Sequence, residues 1–171
     1  AMKFMASSQV STTARELRSL QSIQKLDHPN LLKIHNVWSI PGTIVIGMDL
    51  ADASMLDLFE LYLSEFGKLL EPDTLIQYLY PAAQALDFLN ARRHRLDGKT
   101  VGLQHGDIKP NNILLLGDEA QLADYGLATP TSGSNTPCPR HGTAEYCAPE
   151  VFSGYLSERS DQFSFAVTYF I

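Results

Sequence analysis

The stretch that most constrains this chain is His105-Gly106-Asp107-Ile108-Lys109-Pro110-Asn111-Asn112, followed at once by Ile113-Leu114-Leu115-Leu116. An acid, a cation two residues on and an amide five residues on lead directly into a short apolar run that reads as a buried strand. Asp124-Tyr125-Gly126 follows, seventeen residues after Asp107 (124 − 107). Gly142-Thr143-Ala144-Glu145-Tyr146-Cys147-Ala148-Pro149-Glu150 comes next. Each motif alone is a weak signal. The three in this order and at these separations are a strong one.

The rest of the chain alternates short strands and helices. Residues 1–5 are apolar around Lys3 and read as a strand, and the Ser/Thr-rich residues 7–13 read as a loop. From Ala14, the spacing of Leu17, Leu20, Ile23 and Leu26 predicts a helix, with Thr12 or Thr13 as its cap and Glu16 in its first turn. His28-Pro29-Asn30 ends it, because the residue before proline avoids the helical region. Residues 31–40 and 43–50 read as strands joined across Pro41-Gly42. Residues 55–66 and 72–93 read as helices, with Pro72 suited to a first-turn position. Pro81 predicts a kink in the second helix or a split into two. Residues 94–103, polar and containing Asp97-Gly98, read as a loop, as does the Pro/Ser/Thr/Gly-rich segment 128–142. Two short strands are expected around Gly117-Asp118, and residues 157–171 turn helical and strongly apolar.

With 171 residues and 44% hydrophobic content, the chain can bury a real core. That content excludes collagen, a mucin stalk and a disordered tail. A formal charge of −6 argues against broad electrostatic capture of nucleic acid. No run approaches the ~20 apolar residues of a membrane span, and the N-terminus does not read as a signal peptide. Cys138 and Cys147 make neither a disulfide framework nor a zinc pattern. They read as two thiols in a reducing cytosol, which places the protein in the cytoplasm.

The ordered motifs resemble those of the eukaryotic-type protein kinases: a catalytic loop like H-R-D-L-K-P-x-N, a metal motif like D-F-G and a late A-P-E. The resemblance covers essentially the whole chain. It implies an α+β, protein-kinase-like bilobal fold, truncated, with a partial small lobe in residues 1–50 and a partial large lobe in 51–171. The implied activity is transfer of the ATP γ-phosphate to Ser/Thr hydroxyls of a protein substrate, with ATP and Mg²⁺ as cofactors. By the same resemblance, Asp107 orients the substrate hydroxyl and accepts its proton. Lys109 offsets charge on the transferred group, and Asn112 and Asp124 offer oxygens to Mg²⁺. His105 is implied as a structural residue behind Asp124, and Gly126 as the point where the backbone turns. Ala1-Met2-Lys3 resembles the end of V-A-I-K, with Lys3 reaching the α- and β-phosphates and Ala1 packing on adenine. Glu16 is the implied carboxylate partner of Lys3. It lies about one helical turn further from His28 than the commonest family spacing, where Ser19 stands instead. Either the helix is one turn longer or the ion pair is absent. Met48 resembles the gatekeeper and Asp49-Leu50-Ala51 the hinge. Main-chain groups of Asp49 and Ala51 face adenine, and Leu114 closes its other side. Lys109-Pro110 and Thr143 resemble the Ser/Thr class, with Thr143 bridging Asp107 and Lys109. Asp161 resembles the aspartate that anchors the catalytic-loop backbone.

The departures are specific. Gly106 stands where many kinases have an arginine that pairs with a phosphorylated activation loop. The implied consequence is activity without such phosphorylation, tested by replacing Thr129, Thr131, Ser132, Ser134 and Thr136 with Ala. His-Gly-Asp also resembles aminoglycoside- and choline-type phosphotransferases, but those typically lack the Lys-Pro and Ala-Pro-Glu features. A pseudokinase or scaffold predicts loss of Lys3, Asp107, Asn112 or Asp124, and all four are present. No G-x-G-x-x-G occurs, and the family's domain is normally far longer than this chain. The expectation is the middle of a domain cut at both ends, poorly active alone and with exposed apolar surface prone to association.

Overall fold

The structure is a computed structural model that describes residues 1–6, 20–21, 23–96, 98–124, 128–131, 135–138 and 142–170. Strands β1 (Met2–Ala6), β2 (Ile34–Ile40) and β3 (Thr43–Met48) form an antiparallel sheet in the order β1-β3-β2. The β2–β3 turn falls at Pro41-Gly42, where Gly42 takes a left-handed φ of 74°. β1 alternates: Met2 and Phe4 are exposed, whereas Lys3 and Met5 are half-buried on the inner face, with Met5 against the core. That alternation turns the Lys3 side chain away from the outer face.

β4 (Ala53–Ser54) pairs with β7 (Ile113–Leu116), which pairs with β8 (Glu119–Leu122) across Gly117-Asp118. Helix α1 (Met55–Phe66) starts with a capping box. The Ser54 hydroxyl accepts from the Asp57 N–H at 3.2 Å, and the Asp57 carboxylate accepts from the Ser54 N–H at 2.7 Å. The Ser54 N–H and the Ser54 hydroxyl, which also donates to Asp57 Oδ2 at 2.7 Å, hold the Asp57 carboxyl below its ordinary range. The helix ends at Gly67, at φ 64°.

Helix α2 (Pro72–Asn90) begins on its proline and runs on as a single helix through Pro81. The split allowed by the sequence does not occur. Leu79, Ala82, Ala85, Leu86 and Leu89 bury one face on both sides of Pro81, and that packing carries the turn with the missing N–H. The expected loop at 94–103 is also corrected. It is a β-hairpin, β5 (His94–Leu96) with β6 (Lys99–Gln104). Within the segment read as a long loop, β9 (Thr129–Thr131) pairs with β6, and β10 (Thr136–Pro137) pairs with β11 (Tyr155–Leu156). The chain closes with α3 (Pro149–Phe152) and α4 (Ser160–Phe170). The helix predicted from Ala14 is described only at Leu20, Gln21 and Ile23, which are helical; its cap and first turn lie outside the described residues.

One apolar core joins β1–β3 to α2 and β6–β8. Ile44, Met55, Leu89, Ile108, Ile113 and Leu122 are its most buried large side chains. A separate small cluster of Ala148, Val151 and Leu156 lies under the late motif.

Candidate active site

The site is built on one polar turn between two buried strands. β6 delivers Gln104 and His105, both fully buried. Gly106 takes a left-handed φ of 81°, so the chain turns sharply before Asp107. Pro110 then opens a single 3₁₀ turn, Pro110–Asn112, that returns the chain into β7. Ile108 and Ile113, 1% and 0% exposed, pin this turn to the core on both sides. Asp107, Lys109 and Asn112 are therefore held by a rigid frame.

Asp107 is the centre of the cluster. Its Oδ1 accepts from the Thr143 N–H at 2.9 Å and from the Thr143 hydroxyl at 2.8 Å. Its Oδ2 lies 3.0 Å from Lys109 Nζ and accepts from Asn112 Nδ2 at 3.1 Å. Lys109 Nζ also donates to Thr143 Oγ1 at 2.7 Å. The threonine hydroxyl thus accepts from the lysine and donates to the aspartate. Burial alone pushes the Asp107 carboxyl up, but the Thr143 donors and Lys109 together outweigh it and bring the group below its usual range. Gly142 makes this approach possible, since a Cβ there would lie 2.3 Å from the Gly106 carbonyl oxygen and 3.1 Å from Asp107 Oδ1. The motif spelling contains Gly142, but nothing in the sequence showed that it touches the Asp107 turn.

The turn is braced from behind by Asp161 of α4. His105 N–H donates to its Oδ2 at 2.6 Å and Gly106 N–H to its Oδ1 at 2.9 Å. Burial pushes the Asp161 carboxyl up, opposed by the two amides it accepts from. His105 Nε2 donates to the Ala123 carbonyl at 2.7 Å, while Nδ1 accepts from the Asp107 N–H at 3.3 Å. One neutral tautomer satisfies both bonds. The histidine ties the residue before Asp124 to the Asp107 turn.

Asp124 has a left-handed φ of 66°, unique among the described non-glycine residues. Such strain persists only where surrounding structure enforces it, and it concentrates at functional sites. Lys3 Nζ lies 2.6 Å from Asp124 Oδ2. The structure therefore brings Lys3, from the first strand, to Asp124. Glu16, Tyr125 and Gly126 lie outside the described residues.

Asn112 donates through Nδ2 to the Asp107 carbonyl at 2.7 Å as well as to its carboxylate, which commits its amide nitrogen and leaves Oδ1 as its acceptor. The oxygens of Asn112 and Asp124 are hard donors, the type that suits Mg²⁺. Among the described residues no group of three His, Cys, Asp or Glu side chains stands ready to hold a metal ion unaided.

Of the residues expected around adenine, Met48 ends β3 and Asp49 and Ala51 follow it, Ala1 lies just before β1, and Leu114 is on β7. Ala1 and Met48 pair through their backbones: Met48 N–H donates to the Ala1 carbonyl at 3.0 Å, and the Ala1 amine donates back at 2.6 Å. Met48 is half-buried against the core. Asp49 uses its side chain on His35 Nε2 at 2.7 Å, a contact that no local pattern announced. Asp52 N–H donates to the Leu115 carbonyl, and Ser54 pairs with Leu114, so residues 52–54 are stitched to β7. Ala51 and Leu114 are half-buried at that seam. A cleft of about 370 Å³ opens elsewhere, behind this segment, between Lys25, His28, Lys33, Asp49 and Gln121; Asp107, Lys109, Asn112 and Asp124 do not line it.

No helix among the described residues is long and apolar enough to cross a membrane. Residues 1–171 match the family model described as protein kinase domain. CBL-interacting serine/threonine-protein kinase 7 of Arabidopsis thaliana is 35% identical over 168 residues, covering 92% of this chain and 35% of the relative. Serine/threonine-protein kinase PknF of Mycobacterium tuberculosis is 30% identical over 166 residues, covering 92% of this chain and 33% of the relative. CBL-interacting protein kinase 4 of Oryza sativa subsp. japonica is 29% identical over 184 residues, covering 100% of this chain and 37% of the relative. The chain spans about a third of the length of these curated relatives.

Proposed function

The chain belongs to the protein kinase domain family, and from that premise we propose that the Asp107 cluster transfers the γ-phosphate of ATP to a serine or threonine hydroxyl of a protein substrate. The observation that carries this reading is the closed set of bonds among Asp107, Lys109, Asn112 and Thr143. Phosphoryl transfer asks a protein mainly for positioning and charge neutralisation, and this set supplies both. The Ser/Thr class is supported by the Lys109–Thr143 bond and by the names of the relatives.

Asp107 stays ionised at neutral pH because its donors depress its carboxyl. It serves to orient the acceptor hydroxyl and to take its proton as the oxygen commits to phosphorus. Thr143 keeps the carboxylate from rotating. Lys109, anchored on Thr143 and Asp107, holds a positive charge beside the group in transit. Asn112 and Asp124 are the residues that hold Mg²⁺, which neutralises phosphate charge when bound. Lys3, paired with Asp124 in this structure, serves to bind the α- and β-phosphates. Adenine is read at Ala1, Met48, the main chain of Asp49 and Ala51, and Leu114. Glu16 remains the proposed partner of Lys3. On this reading residues 1–50 belong to a smaller, sheet-rich lobe and 51–171 to a larger, mainly helical one, with 48–51 as the hinge. The protein works in the cytoplasm on a protein substrate, with no role for nucleic acid.

The test uses the natural protein that carries these residues. With Mg²⁺ and ATP it is expected to label Ser or Thr in a generic basic protein substrate, read by phosphoamino-acid analysis. Asp107→Asn is expected to lower kcat by roughly 10²- to 10⁴-fold while leaving nucleotide binding in place. An ATP-dependent thermal shift without turnover would overturn the transferase reading in favour of a scaffold.

A further inference from the structure

The phosphoryl-transfer reading leaves Cys138 and Cys147 unused, and they are the only cysteines in the chain. Cys138 follows β10, where its N–H donates to the Gly154 carbonyl at 2.8 Å and continues the β10–β11 pairing. Cys147 stands just before Ala148 and α3. Both side chains are half-buried and pack on the same small floor of Ala148, Val151 and Leu156, apart from the main core. Two separated pieces of the segment thus bring their cysteines to one small cluster. Burial pushes the Cys147 thiol up, against a Gly142 backbone bond that lowers it, and Asp107 and Cys138 push it further up. No disulfide joins the two, the resting state expected of thiols in a reducing compartment. Gly142 and Thr143, both against Asp107, lie in the chain between them.

We propose that Cys138 and Cys147 are a modification site, a dithiol that closes to an intramolecular disulfide by exchange with a small-molecule disulfide such as glutathione disulfide. The thiolate of one cysteine attacks a sulfur of glutathione disulfide, its S–S bond breaks and one glutathione thiolate leaves. The second cysteine, deprotonated, attacks the protein-side sulfur of that mixed disulfide. The Cys138–Cys147 bond forms and the second glutathione leaves. Two protein thiols are oxidised, one glutathione disulfide is reduced, and the two released protons end on two glutathione thiols. The bond closes a ring that contains Gly142 and Thr143 and so restricts the segment that holds Asp107. The raised Cys147 thiol makes closure slow at neutral pH and faster as pH rises. This chemistry does not rest on the kinase reading, so its failure and the failure of that reading are separable.

The 171-residue chain is equilibrated with mixtures of reduced and oxidised glutathione, quenched by alkylation and digested with trypsin. Cleavage after Arg140 puts the two cysteines on separate peptides. The expected result is a linked Cys138–Cys147 peptide pair, an intact mass lower by two hydrogens, and reversal by dithiothreitol. Cys138→Ser and Cys147→Ser are each expected to stop at one glutathionyl adduct. The ratio of bonded to open form is expected to be at least roughly tenfold higher in the folded chain than in guanidinium chloride. Two independent glutathionyl adducts, disulfides only between chains, or equal ratios folded and unfolded would each overturn the proposal.

Discussion

Asp107 illustrates how single residues set the behaviour of this site. Its carboxyl loses favourable hydration on burial and regains more from Thr143 and Lys109, so its pKa in the folded state lies below the unfolded value. The stability it contributes is therefore full above the unfolded pKa, about 3.9, and is lost as pH falls through the depressed folded value. Asp107→Asn is expected to flatten that acid limb, read as urea midpoints taken stepwise below about pH 5. Thr143→Val removes one donor from Oδ1 and the acceptor of Lys109, while its backbone N–H stays. It is expected to raise the Asp107 carboxyl and to lower kcat about tenfold or more with little change in KM for ATP. A kcat unchanged by this variant would mean that the hydroxyl bridge does not position the aspartate. Gly106 is governed by backbone sterics. Its φ of 81° is open to glycine at no cost, and a Cβ there costs about 1–2 kcal/mol. Gly106→Arg is expected to lower stability by that amount in denaturant melts, so the departure at this position also relieves strain.

At the scale of elements, α1 and the β5–β6 hairpin behave in opposite ways. The bounds of α1 were legible because its signals are local: a serine and an aspartate three residues apart, then Gly67 at its end. Ser54→Ala is expected to cost about 1 kcal/mol, measured by urea unfolding, because it leaves the Asp57 N–H without its cap. The hairpin was not legible, since His94-Arg95-Leu96 carries no strand pattern and Gly102 interrupts β6. The structure supplies the missing reason. The Asn90 carbonyl oxygen would lie 2.8 Å from a Cβ on Gly102, so the glycine lets the end of α2 rest directly on the strand. Gly102→Ala is expected to destabilise the chain by about 1–3 kcal/mol through that overlap. The same division runs through the site. Asp107, Lys109 and Asn112 were found because they share one turn, whereas the Lys3–Asp124 pair joins residues carried by two different sheets and the His35–Asp49 bond joins residues at the paired ends of β2 and β3.

At the scale of the whole molecule, the surface is larger than a compact monomer requires and carries many large apolar side chains. The accessible area is 9710 Å², against roughly 8,300 Å² expected for a compact protein of this mass. Leu61, Leu63, Phe66 and Leu69 are exposed along and just past α1, and Ile76 and Tyr80 share one face of α2 four residues apart. Phe163, Tyr169 and Phe170 are exposed on α4, with Phe170 at 84%. Singly exposed apolar residues are ordinary, but a set of this size along three helices favours association in water. The 171-residue chain is therefore expected to sediment as a concentration-dependent mixture, with the weight-average mass rising as loading increases. Replacing Leu63, Phe66 and Phe170 together with Ser removes exposed side chains without touching the core. It is expected to shift the distribution toward monomer at the same loading and to leave the far-ultraviolet spectrum unchanged. A mass independent of concentration in the unmodified chain would show that these side chains are satisfied by water alone.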